Sequence, residues 1–158
     1  MYSIQEEYMY NFFAYLFRMK HIVRWGLMRN TEKENIKEHS FDAAMIAHAL
    51  AVIGNTYYGK QHDAEHIMAL AVFHEAGEVM TGDIATPIKY FNPEIKEAFK
   101  AVEDLAEDKI LKMLPEEMQQ TYAPLVKHGT AEEYKLVKAA DKICAYIKCL
   151  EEEKSSNG

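Results

Sequence analysis

The run Ile67-Met68-Ala69-Leu70-Ala71-Val72-Phe73-His74-Glu75-Ala76-Gly77-Glu78 decides the fold. Ile67, Leu70, Ala71 and His74 fall at the spacing of one helical face. That face is apolar until it reaches a histidine, with Glu75 beside it and Glu78 one turn further on. Burying an ionisable group without a partner is costly, so the helix both packs and presents something. The same periodicity recurs in both directions. Tyr8, Met9, Phe12, Phe13, Leu16 and Met19 form one stripe. Phe41, Met45, His48, Ala49 and Val52 form another, in a segment apolar almost all round and therefore expected at the centre. Ile95, Phe99, Val102, Leu105 and Ile110 follow, then Leu136, Val137, Ala140, Ile143, Cys144, Ile147 and Leu150. No sustained alternation and no Asn-Gly or Asp-Gly pair between alternating runs supports a strand. The fold class is all-α.

Punctuation agrees. The first proline is Pro87. Asn92-Pro93 reads as an N-cap followed by proline at the first helical position, where its missing N–H costs nothing. Thr130 and Glu133 make a capping box for the last helix. Pro115-Glu116-Glu117 opens a shorter helix, which Pro124 is expected to end. Arg24–Lys37 and Thr81–Asn92 lack a helical stripe and are long for connections within a bundle, which marks them as candidate carriers of function.

The chain has 158 residues, 49% hydrophobic and 27% charged, within the range of one ordinary globular domain. Lys plus Arg number 18 against 25 Asp plus Glu, a net charge of -7 that argues against binding a nucleic-acid polymer or an anionic membrane. A small phosphorylated ligand needs only a few well-placed cations and stays open. The two cysteines, Cys144 and Cys149, would point roughly 140° apart on a helix, which suits the filling of a reduced interior. The apolar runs are too short to span a bilayer, and the acidic N-terminus lacks the features of a signal peptide. A cytoplasmic location is expected.

Three polar positions break the packing pattern: His39 where the central helix begins, His74, and Asp141 inside the last stripe. With Glu75 they form a mixed nitrogen and oxygen set suited to a divalent transition metal. The plainer alternative is a hydrogen-bonded core for each histidine and a lysine partner, Lys138 or Lys142, for Asp141. Spacing alone leaves both open.

Glu38-His39-Ser40, then His74-Glu75, then Asp141 resembles the H…HD…D pattern of HD-domain metal-dependent phosphohydrolases. The blocks Arg24-Trp25-Gly26-Leu27-Met28-Arg29-Asn30, Thr81–Phe91 and Asp141–Glu151 are similar to those of the bacterial 5'-deoxynucleotidases of the YfbR-like group. One departure stands out: Glu75 occupies the place of the family's Asp, so the signature dyad is His-Glu.

The resemblance implies a single-domain HD-type helical bundle, expected over residues 1–154, and the composition of Ser155-Ser156-Asn157-Gly158 marks 155–158 as a disordered tail. It implies one divalent transition-metal cation, such as Mn or Co, held by His39, His74, Glu75 and Asp141. Glu78 would be the acid/base group, and Arg24 would bind and orient the phosphate, joined in catalysis by Asp83. Trp25 would pack against the sugar and exclude a 2'-hydroxyl. Thr86, Pro87, Ile88 and Lys89, with His39, Asp83 and Asp141, complete the implied substrate contacts. The implied reaction is hydrolysis of deoxyribonucleoside 5'-monophosphates to deoxynucleoside and phosphate. Two alternatives remain: a nucleotide- or metal-binding protein whose turnover Glu75 has reduced or abolished, and another HD phosphohydrolase. The aromatic-rich first helix (Tyr8, Tyr10, Phe12, Phe13, Tyr15, Phe17) carries the expectation of a homodimer.

Overall fold

A computed structural model describes residues 10–155. Tyr8 and Met9 of the first stripe, and residues 156–158 of the expected tail, lie outside it. Among the described residues the architecture is all helical apart from one antiparallel β-bridge, Val23 to Asn35. The elements run α1 (Phe12–Leu16), a 3-10 turn (Phe17–His21), α2 (Ile36–Tyr58), α3 (Ala64–Phe73), α4 (Glu78–Thr81), α5 (Thr86–Lys89), α6 (Pro93–Leu111), α7 (Glu116–Val126) and α8 (Ala131–Lys154).

Helix α2 carries the largest correction to the sequence reading. Its buried face is Ile36, His39, Ser40, Ala43, Ala44, Ala47 and Ala51, whereas Phe41, Met45 and Val52 of the expected inward stripe are exposed. Where a helix is apolar all round, periodicity alone cannot choose its face. Packing chooses here. The alanines let α2 lie close to α3 and α8, against Ile67, Leu70, Ala71, Val137 and Ala140. The α3 stripe faces inward as expected, with Ile67, Leu70 and Ala71 buried. A second cluster, built on Phe12, Met19, Ile36, Val79, Ile110 and Leu114, joins the N-terminal turns to α4, α6 and α7.

The Asn92 and Thr130 caps form as expected, the latter with both halves of its box. A further capping box, Asn35 with Glu38, fixes where α2 begins and hence where His39 sits. Pro124 does not end its helix, which runs on to Val126. Within the final turn its missing N–H sacrifices a single ladder bond, and Lys127 N–H still reaches the Ala123 carbonyl. No helix among the described residues is long and apolar enough to cross a membrane. Cys144 and Cys149 are both free thiols.

Candidate active site

Three helices deliver the four candidate metal ligands to one point. His39 enters from the first turns of α2, His74 caps the C-terminus of α3, Glu75 follows it, and Asp141 projects from the middle of α8. One ligand atom from each lies within 4.8 Å of all the others. The imidazole centroids are 5.3 Å apart. His39 Nε2 stands 3.2 Å from an Asp141 oxygen, and His74 Nε2 stands 3.0 Å from a Glu75 oxygen. Glu75, with its longer side chain, reaches the cluster.

The group fits a divalent cation. Both Nε2 atoms are buried without a well-formed hydrogen bond, although buried polar groups are ordinarily satisfied. His74 Nδ1 donates to the Ala71 carbonyl at 2.6 Å, which leaves Nε2 as the lone-pair nitrogen that metal ligation requires. Asp141 has the lysine partner that the plainer alternative expected: Oδ2 accepts from Lys138 Nζ at 3.4 Å, while Oδ1 faces His39.

The electrostatics divide the carboxylates. Burial works to raise Asp141, but the close approach of the His39 imidazole and the Lys138 charge outweigh it and hold the carboxyl at about 2. Glu75 is likewise driven below the usual carboxylate range, burial being overcome by His74. Glu78 goes the other way. Burial, then the charge of Glu75, and then a hydrogen bond with it push Glu78 up to about 10. Two neighbouring carboxyls thus keep one proton between them, held on Glu78. The backbone is also tighter than a continuous helix: α3 stops at Phe73, and Ala76, Glu78, Val79 and Met80 donate three residues back. Glu78 reaches Glu75 through this turn and not along the i,i+4 face of one helix.

A cavity of about 250 Å³ opens beside the cluster, lined by Arg24, Trp25, Gly26, Leu27, Met28, Asp83, Ala85, Thr86 and Pro87. The two long connections thus make its walls. Arg24 sits at the seam, with Nη1 at 2.7 Å from His39 Nδ1 and Nη2 at 3.8 Å from Asp141 Oδ1. Trp25 has φ of 63°, left-handed for a bulky residue. Asp83 accepts the Trp25 backbone N–H at 3.2 Å, tying one wall to the other. Lys89 pairs with Glu103 of α6, and Ile88 is exposed; neither lines the cavity.

Two charged residues at this site escape sequence reasoning as functional candidates. Lys138 stands over Asp141, one helical turn before it, and an i−3 lysine was the available signal. Glu34 accepts from Arg24 Nη1 at 2.5 Å and from Trp25 Nε1 at 3.3 Å. Nothing in Glu32-Lys33-Glu34 distinguishes it from a solvated charge run.

The sequence profile of the family described as 5'-deoxynucleotidase YfbR-like matches residues 11–158. The 5'-deoxynucleotidase YfbR of Escherichia coli O1:K1 / APEC is 52% identical over 149 residues, covering 93% of this chain and 75% of that protein. An HD-domain phosphohydrolase from Listeria innocua superposes with a TM-score of 0.75 at 25% identity, over 84% of this chain and 64% of that one. The cyanophage S-2L HD phosphohydrolase DatZ, solved with dA and one catalytic Zn2+ ion, gives 0.60 at 23% identity, over 89% and 80%.

Proposed function

This chain belongs to the YfbR-like 5'-deoxynucleotidase family, and from that premise we propose how its residues divide the hydrolysis of deoxyribonucleoside 5'-monophosphates. The observation that carries the reading is the convergence of one ligand atom each from His39, His74, Glu75 and Asp141, next to a cavity lined in part by Arg24. These four would hold one divalent transition-metal cation, Mn, Co or Zn. When bound, such an ion withdraws charge from a phosphoryl oxygen and makes hydroxide accessible near neutral pH.

Arg24 binds and orients the phosphate, a task its planar fork suits. Glu78, kept protonated by burial and by Glu75, gives its proton to the 5'-oxygen as the P–O5' bond breaks, and the carboxylate so formed takes up the proton that water loses as its oxygen joins phosphorus. Trp25 and Asp83 form the wall at the sugar, and Thr86 and Pro87 extend it. His39 and Asp141 face both the metal set and Arg24. Ile88 and Lys89, which follow Thr86 and Pro87 without lining the cavity, remain proposed substrate contacts. Selectivity arises by exclusion at the ribose and not by reading the base.

We also take residues 1–154 as one domain and the chain as a homodimer. Exposed Tyr10, Phe13 and Phe17 support the latter, and a monomeric mass by light scattering would refute it.

The test of function is direct. Metal-stripped protein is given dAMP with Mn2+, Co2+, Zn2+ or Mg2+, and phosphate is assayed. Release that requires metal and disappears in Glu78→Ala is expected. Binding of dAMP without release would instead identify a non-catalytic nucleotide-binding protein.

A further inference from the structure

We propose that Glu34 is a positioning residue that sets discrimination between deoxyribo- and ribonucleotides, by holding Arg24 and Trp25 at a fixed separation through one carboxylate oxygen. The inference rests on the roles proposed above for Arg24 at the phosphate and Trp25 at the sugar. Glu34 Oε2 accepts both Arg24 Nη1–H and Trp25 Nε1–H, and its side chain is only 15% exposed. A carboxylate serving two donors with one oxygen couples them: neither can shift without loosening the other.

The loop around it supports this role. Residues 24–34 form a closed loop whose ends meet at the Val23–Asn35 bridge. Arg24 N–H donates to the Glu34 carbonyl at 2.9 Å, so the same two residues are joined by backbone and by side chain. The far side of the loop is fixed independently by α8. Glu152 accepts from Thr31 and Glu32 N–H, while Lys148 donates to the Glu32 carbonyl. Losing the Glu34 side chain therefore leaves the loop attached and frees its active edge. Trp25 needs such a restraint, because its left-handed backbone persists only while its surroundings hold it. Asp83 secures its backbone N–H. Among the described residues, Glu34 alone accepts the indole N–H. The ring is the wall on which exclusion of a 2'-hydroxyl depends, and a wall that yields admits the hydroxyl.

Trp25 is the sole tryptophan, so its fluorescence reports this wall without interference. Full-length wild type, Glu34→Ala and Glu34→Gln are compared in two assays. In metal-free protein, Glu34→Ala is expected to at least double the acrylamide quenching constant of Trp25. With metal, it is expected to lower the ratio of kcat/KM for dAMP over AMP by tenfold or more, raising KM for dAMP more than it lowers kcat. Glu34→Gln, which keeps an acceptor oxygen but lacks the charge, should fall between the two. Wild-type quenching and wild-type discrimination in Glu34→Ala would overturn the proposal. If Glu34→Ala does not fold, the same two criteria applied to Glu34→Gln decide it. Failure of the wild-type chain to hydrolyse any deoxynucleotide would strike the proposed function instead, and quenching would still judge the Glu34–Trp25 link.

Discussion

Stripping and restoring the metal should change the melting temperature by a calculable amount. His39 Nε2 and His74 Nε2 are buried against carboxylate oxygens of Asp141 and Glu75, at 3.2 and 3.0 Å, so a cation held by these four would bind the folded chain and not the unfolded one. At a free ion concentration 100 times its dissociation constant, linkage stabilises the folded state by about 2.7 kcal/mol. For a domain of this size each kcal/mol moves Tm by roughly 2–4 °C, so Mn2+, Co2+ or Zn2+ should raise Tm by about 5–11 °C over EDTA-treated protein. Differential scanning calorimetry of the wild type, His39→Ala and His74→Ala measures it. Either variant should lose nearly all of the shift, since each removes one of four ligands. The reasoning fails if the wild-type Tm is indifferent to all three ions. It fails equally if both histidine variants keep the full shift, because the ion would then bind elsewhere.

Other predictions concern single residues. In metal-free protein Glu78 keeps its proton up to about 10, whereas an unfolded glutamate releases it near 4.3. The folded state then holds the extra proton, so its stability should fall as pH rises across that window. Glu78→Gln should flatten this decline, matching wild type near pH 4 and exceeding it near pH 9; parallel Tm–pH curves would refute the assignment. Glu75→Asp should change metal-dependent turnover less than tenfold, since Glu75 already reaches the cluster. A larger gain in a phosphate assay would show the extra methylene to be a handicap. Ala47→Leu should destabilise by about 1–3 kcal/mol through overpacking of the α2–α3–α8 contact, visible in urea unfolding.

How much of this was legible in the sequence depended on contrast. His74 and Asp141 stood out because each interrupts an otherwise apolar stripe, and both lie in the cluster. The face of α2 was illegible for the opposite reason: phenylalanine and methionine looked like core, while four alanines buried little area but allowed close approach. Glu78 stands beside Glu75, but not along one continuous helical face. Spacing cannot reveal that α3 stops at Phe73 and that the chain then tightens into three-residue turns. Glu34 was invisible because its meaning lies in what folds over it. A carboxylate in an irregular loop has no periodicity to violate, and only the Val23–Asn35 bridge brings it under Arg24 and Trp25.

The bond from His74 to residue 71 ends on a main-chain oxygen, not on a side chain. Replacing the alanine at that position would leave the acceptor in place, so the histidine's protonation pattern is protected from ordinary point mutation. Only a change that unwinds the last turn of α3 could reverse it. Of the two histidines, this one owes its readiness for a cation to the shape of the polypeptide itself.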